Sequence, residues 1–143
     1  MAKLGVVGVG RMGRCHAENL RSRIPEANLI AVADVDLEAA RRLAAELEIE
    51  HSYGSIEELV ERKDIDVVVI ASRSRFHLSN VQTAAVAGRH ILCEKPLALT
   101  IDVVDDAQLS GRVAIPAVCW SRKRLARKLC SPLRSAFEFG WRI

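Results

Sequence analysis

No stretch of this 143-residue chain approaches the roughly 18 consecutive apolar residues of a membrane-spanning helix. Half of the residues are nevertheless apolar, ample for one buried core. The N-terminus carries one Lys and enters a strand-like run directly, unlike the leader of a secreted protein. The four cysteines, Cys15, Cys93, Cys119 and Cys130, form no C-x-x-C pair and no metal-ligand spacing. Neither a disulfide framework nor a metal site is expected, and the thiols read as the reduced cysteines of a cytoplasmic protein. Cys15, near a helix start, is expected to be a packed small residue. There is no internal repeat and no low-complexity segment.

The net charge of +3 conceals an asymmetry. Residues 119–143 hold seven basic side chains and one acid, Glu138, a net of +6, so residues 1–118 are net −3. Both tryptophans and two of the three phenylalanines also lie in that tail. The composition changes abruptly near Cys119.

Before that point, strand-like and helix-like patterns alternate, as in a parallel α/β sheet covered on both faces. Strands are expected at Lys3–Val9, Leu29–Asp34, His51–Tyr53, Val67–Ala71 and His90–Cys93. A sixth over Val113–Val118 would be confined or shortened by Pro116. Helices are expected at Met12–Ile24, Leu37–Leu47 behind an Asp36 cap, and Ser55–Arg62 behind a capping box. Two more are expected from Phe76 to Ala87, stopped by Gly88, and from Thr100 to about Leu109.

Gly8-Val9-Gly10-Arg11-Met12-Gly13 stands between the first strand and the first helix, and Asp34 follows Gly13 by 21 residues at the end of the second strand. In that context the glycine pattern is a dinucleotide-binding fingerprint. Gly8 permits the tight turn, Gly10 lets backbone approach a pyrophosphate, and Gly13 lets helix and sheet pack. The helix start offers N–H groups to the phosphates. Asp34 is placed to accept from the adenosine ribose and to repel a 2′-phosphate, which favours NAD over NADP. Ser72 to Ser74 and Glu94-Lys95-Pro96 fall at the carboxyl ends of later strands, where doubly wound sheets bind ligands. The expected fold class is therefore α/β: a Rossmann-type, doubly wound, mostly parallel sheet in one domain over residues 1–118, followed by a basic tail, 119–143.

The glycine motif extended by Arg14-Cys15-His16, then Val32-Ala33-Asp34, Ala71-Ser72 with His77, and Glu94-Lys95-Pro96-Leu97 resemble the N-terminal half of the Gfo/Idh/MocA family. The likeness covers about residues 1–112. It implies an NAD(P)-dependent oxidoreductase acting on sugars, inositols or related polyols. On this likeness Gly8, Gly10, Arg11 and Met12 line the pyrophosphate site and Asp34 holds the ribose. Ser72 and His77 lie beside the cofactor, Glu94 and Lys95 near the nicotinamide ribose. Lys95 is the catalytic candidate, placed to polarise the reacting hydroxyl. His16 takes a structural place on the first helix. His51 and His90 read as surface or strand-end residues.

The chain departs from the family pattern in having Ser72-Arg73 where Thr-Pro is usual. Arg73 and Arg75 either meet a cofactor phosphate or an acidic substrate, or are solvated. The family's base is typically a His in an Asp-x-x-x-His pair of a C-terminal α+β domain. No histidine follows Asp106, so that pair and that domain are expected to be missing, and the chain alone is expected to be weakly active or inactive. Family members usually associate through that domain's sheet, so a homo-oligomer stays open. The tail is expected to be non-native, as after an altered reading frame. The alternative is a basic amphipathic segment for nucleic acid or an anionic membrane. The leading function is thus an oxidoreductase domain binding a dinucleotide. The others are a non-catalytic dinucleotide-binding module and a nucleic-acid binder working through its tail.

Overall fold

The computed structural model describes residues 1–96 and the backbone of a two-residue strand at 113–114. Five strands, β1 (Ala2–Val7), β2 (Ala27–Ala33), β3 (His51–Tyr53), β4 (Val67–Ile70) and β5 (His90–Cys93), alternate with four α-helices. These are α1 (Arg11–Ser22), α2 (Leu37–Glu46), α3 (Ile56–Glu61) and α4 (His77–Val86), the last preceded by a 3-10 turn, Ser74–Phe76. With β6 (Val113–Ala114) the sheet order is β3-β2-β1-β4-β5-β6, and every pairing is parallel. The doubly wound α/β fold is as expected.

The strands are apolar almost throughout because both faces of the sheet are covered. In β4, Val69 joins the core under α1 and α2, with Leu4, Val6, Ala17, Leu20, Leu29, Val32 and Leu43. Its neighbours Val68 and Ile70 join the opposite core under α3 and α4, with Ile56, Leu59, Val81 and Ile91. This is the two-residue alternation of a strand read across both faces. Each fully buried Leu or Ile, such as Leu20, Leu43 and Ile70, contributes about 1.5–3 kcal/mol. On the second face, a Cβ added to Gly5 would sit 2.9 Å from Leu59 Cδ2, so the glycine makes room for α3.

Local signals set most boundaries. Asp36 Oδ1 accepts from Ala39 N at 3.1 Å and caps α2. Ser55 Oγ accepts from Glu58 N at 3.3 Å and caps α3, while the Glu58 carboxylate reaches back to Gly54 N at 3.0 Å. Gly88, at φ +74°, follows the end of α4. Strand β1 stops at Val7, two residues before the expected end, because Gly8 at φ +88° turns the chain out of the sheet. Helix α1 ends at Ser22, short of Ile24, since Arg23 leaves the helical region with φ −120° and ψ −12°. Of the expected sixth strand, Val113–Ala114 pairs with β5, and 115–118 lie outside the described residues. The expected helix from Thr100 and the tail 119–143 lie outside the described residues. No helix among the described residues is long and apolar enough to cross a membrane.

Candidate dinucleotide site

In the strand order, β1 is where the winding reverses: β2 and β3 lie to one side, β4 and β5 to the other. Loops leaving β1 and β4 at their carboxyl ends therefore diverge and open a crevice. The two loops touch at its base. A Cβ on Gly8 would fall 2.5 Å from the backbone of Ser72, so no side chain fits there, and φ +88° excludes one independently. Gly13 is tighter still: a Cβ would overlap the Gly8 carbonyl oxygen. Gly10 is different. A Cβ there would meet nothing within 4 Å among the described residues. The packing of the described residues thus does not require glycine at position 10, whereas a group seated against this backbone would.

Gly10 is also the N-cap of α1, and it supplies no capping side chain; nor is there an acid in the first turn. Helices α2 and α3 are both capped by side-chain oxygens. The first turn of α1, with its N–H groups and positive end of the helix dipole, faces the crevice with an anion-binding character. Arg11 and Met12 stand exposed on that turn.

Asp34 follows β2 and is part-buried. Its Oδ2 accepts from Val9 N at 2.8 Å and its Oδ1 from Asp36 N at 2.9 Å. The Asp34 carboxylate is thereby fixed beside the glycine turn. A carboxylate has about four acceptor positions, so two remain for a ligand's hydroxyls. Donors and space on one side and a fixed acceptor on the other fit a dinucleotide's pyrophosphate and ribose.

On the β4 side, Ser72 Oγ accepts from Asn80 Nδ2 at 2.9 Å. His77 is 2% exposed, and both ring nitrogens face main-chain oxygens at 2.7 Å: Nε2 that of Ser72, Nδ1 that of Pro96. Carbonyl oxygens only accept, so the one N–H of a neutral ring donates to one of the two; the ring is packed between the end of β4 and the turn after β5. Glu94 is held too. Its amide donates to Ile70 O at 2.9 Å, and its Oε1 lies 2.6 Å from His16 Nε2. Lys95 between them is exposed.

Two of these partners, His16 for Glu94 and Asn80 for Ser72, were not legible as site neighbours. The signal for Asn80 is its position three residues after His77, on the same face of α4. Arg75 stacks on the Phe76 ring, its guanidinium carbon 4.6 Å from the centroid, and Arg73 is exposed. His90 is exposed, and His51 lies on the edge strand β3 beside Glu50 and Tyr53. Cys15 is exposed rather than packed, because the buried face of α1 runs through Gly13, Ala17 and Leu20. Cys93 is buried, and desolvation, aided by the Glu94 charge, pushes its thiol up to about 12. Among the described residues no cluster of His, Cys, Asp or Glu could hold a metal ion.

The comparisons agree with the fold. Residues 2–110 match the Gfo/Idh/MocA model, described as an oxidoreductase family with an NAD-binding Rossmann fold. The chain is 39% identical over 103 residues to myo-inositol 2-dehydrogenase of Thermotoga maritima, covering 72% of this chain and 30% of that protein. It is 41% identical over 121 residues to inositol 2-dehydrogenase 4 of Saccharopolyspora erythraea, covering 85% and 34%. Among solved structures, scyllo-inositol dehydrogenase of Lactobacillus casei with NAD(H) and scyllo-inositol superposes with a TM-score of 0.75 at 30% identity. That match covers 96% of this chain and 40% of the other. The chain thus spans about a third of the length of the curated relatives it matches. It belongs to the Gfo/Idh/MocA oxidoreductase family and carries that family's NAD-binding Rossmann fold.

Proposed function

We propose that this chain is the dinucleotide-binding part of an NAD-dependent dehydrogenase that oxidises an inositol or related polyol. The observation that carries the reading is the pairing of an open Gly10 over an uncapped helix start with an Asp34 carboxylate fastened to the same turn.

Gly8, Gly10, Arg11 and Met12 form the pyrophosphate cradle. The remaining acceptor capacity of Asp34 takes the adenosine ribose hydroxyls, and its negative charge disfavours a 2′-phosphate. NAD is preferred over NADP for that reason. Bound NAD supplies the hydride acceptor. Ser72 lines the β4 side of the crevice, and His77 supports it from beneath. Glu94 and Lys95 stand at the nicotinamide end, where Lys95 donates a hydrogen bond to the substrate hydroxyl and polarises it. An ammonium suits this task because its proton is readily tuned by surroundings.

Thermal unfolding with NAD, NADP and no ligand tests the reading. A ligand at a hundred times its Kd stabilises by about 2.7 kcal/mol. NAD is expected to raise the midpoint more than equimolar NADP. Equal shifts contradict the stated preference, and no shift from either contradicts the site. Lys95→Ala is expected to keep the NAD shift and lose any oxidation of inositol. A folded chain that binds NAD and oxidises nothing, even when the relatives' remaining domain is supplied, is a binding module instead.

A further inference from the structure

Lys95 sits between two residues gripped by histidines from opposite faces of the sheet. His16, on α1, holds the Glu94 side chain at 2.6 Å. His77 Nδ1, on α4, lies against the Pro96 carbonyl oxygen at 2.7 Å. Helices α1 and α4 pack on different faces, so the two grips bracket the turn. The His16–Glu94 contact is largely shielded, with side chains 14% and 19% exposed. Shielding strengthens such a contact relative to a solvated pair. Helix α1 begins at the glycine turn, and His16 lies six residues beyond Gly10, about 9 Å along the axis. One rigid helix therefore carries both the pyrophosphate cradle and the anchor of the Lys95 turn.

We propose that His16 is a positioning residue for Lys95: through Glu94 it sets where the ammonium stands relative to a dinucleotide seated at the start of α1. The inference rests on the reading of Lys95 and NAD given above. His16 lies one helical turn beyond Met12 and, on this proposal, does not contact the cofactor. Its removal should thus free Lys95 while leaving NAD affinity nearly intact.

The test uses the full chain and its His16→Ala and His16→Gln variants. Glutamine keeps an N–H donor at a reach like that of Nε2. Two signals are read by NMR: hydrogen exchange of the Glu94 amide, and the Lys95 side-chain resonance after reductive methylation with labelled carbon, assigned with Lys95→Arg. In His16→Ala the Glu94 amide is expected to exchange about tenfold faster, the effect of losing one charge-assisted hydrogen bond. The amide of Val68, deep in the sheet, should keep its wild-type rate. NAD should bind within about threefold of wild type, since no contact to it is lost. The NAD-induced displacement of the Lys95 resonance should disappear, and His16→Gln should restore both signals. If His16→Ala does not fold, Glu94→Gln weakens the same contact from the other side and should loosen the same amide. Unchanged Glu94 exchange and an unchanged Lys95 response in a folded variant overturn the proposal. A wild-type chain that ignores NAD, with Glu94 exchange still accelerated in His16→Ala, overturns the cofactor reading and leaves the anchor standing.

Discussion

Asp34 Oδ2 accepts a hydrogen bond from the amide of Val9 at 2.8 Å, and beside the Gly8 amide's bond to Ala33 O at 2.7 Å it joins the end of β2 to the glycine turn after β1. The carboxylate has two consequences at once. It shapes the turn, and it keeps acceptor positions that the Val9 and Asp36 amides do not fill.

Asp34→Ala should therefore act on stability and on binding. The amides of Val9 and Asp36 lose their acceptor, a loss worth about 1–3 kcal/mol where water cannot replace it. NAD affinity should fall by about tenfold or more, and the preference over NADP should narrow. Urea unfolding and titration with both cofactors read the two effects. Unchanged affinity for both cofactors takes Asp34 out of the site.

Gly10 and Gly13 should separate binding from folding. A Cβ at Gly13 collides with the Gly8 carbonyl, so Gly13→Ala should destabilise by more than about 3 kcal/mol or fail to fold. A Cβ at Gly10 meets no atom of the described residues, so Gly10→Ala should unfold near the wild-type midpoint while losing NAD affinity. Loss of stability in Gly10→Ala, or full binding by it, contradicts the cradle.

Much of this organisation was legible in the chain itself, for local reasons. Asp36 and Ser55 cap helices within three residues of themselves, and Gly88 needs only its own φ. Strands β3 and β5 fall at the expected residues because their ends are set by turns close in sequence. Gly8 and Gly13 were legible because close backbone approach leaves no room for a Cβ at either. The contacts that bind the loops together were not legible. His16 reaches Glu94 across 78 positions, and His77 reaches Pro96 across 19, and nothing in the pattern of either histidine names its partner. Cys15 was misplaced because a thiol fits either side of a helix; only the Gly13–Ala17–Leu20 stripe decides which side is buried.

Acid stability should carry the mark of Asp64. Arg62 donates two hydrogen bonds to it, at 3.0 and 2.8 Å, and Lys3 Nζ adds a third at 3.3 Å. The Arg62 hydrogen bonds, with Lys3 assisting, lower the carboxyl from 3.8 to about 2. The folded chain thus holds fewer protons on this group than the unfolded chain between those values. The resulting stabilisation is complete above 3.8 and is lost as the pH falls to about 2. Asp64→Asn should flatten the stability–pH curve in that window and leave its slope near neutrality unchanged. Urea midpoints across the window, compared with wild type, give the answer; identical slopes contradict the assignment.

The two described cysteines should differ in reactivity. Cys93 is buried, its thiol is pushed up to about 12, and Sγ donates to the Glu94 carbonyl at 3.4 Å. Cys15 is exposed. Iodoacetamide at mildly alkaline pH should therefore alkylate Cys15 in the native chain and reach Cys93 only in denaturant. Peptide mapping by mass spectrometry distinguishes the sites. Rapid native labelling of Cys93 contradicts the packing at the end of β5.

Calorimetric titration of the purified chain with NAD tests the central claim most directly. The account predicts a saturable, one-site heat from wild type that is strongly reduced in Gly10→Ala, with both proteins showing the same folded circular-dichroism spectrum. Absence of heat from the folded wild-type chain, at NAD concentrations up to millimolar, contradicts it.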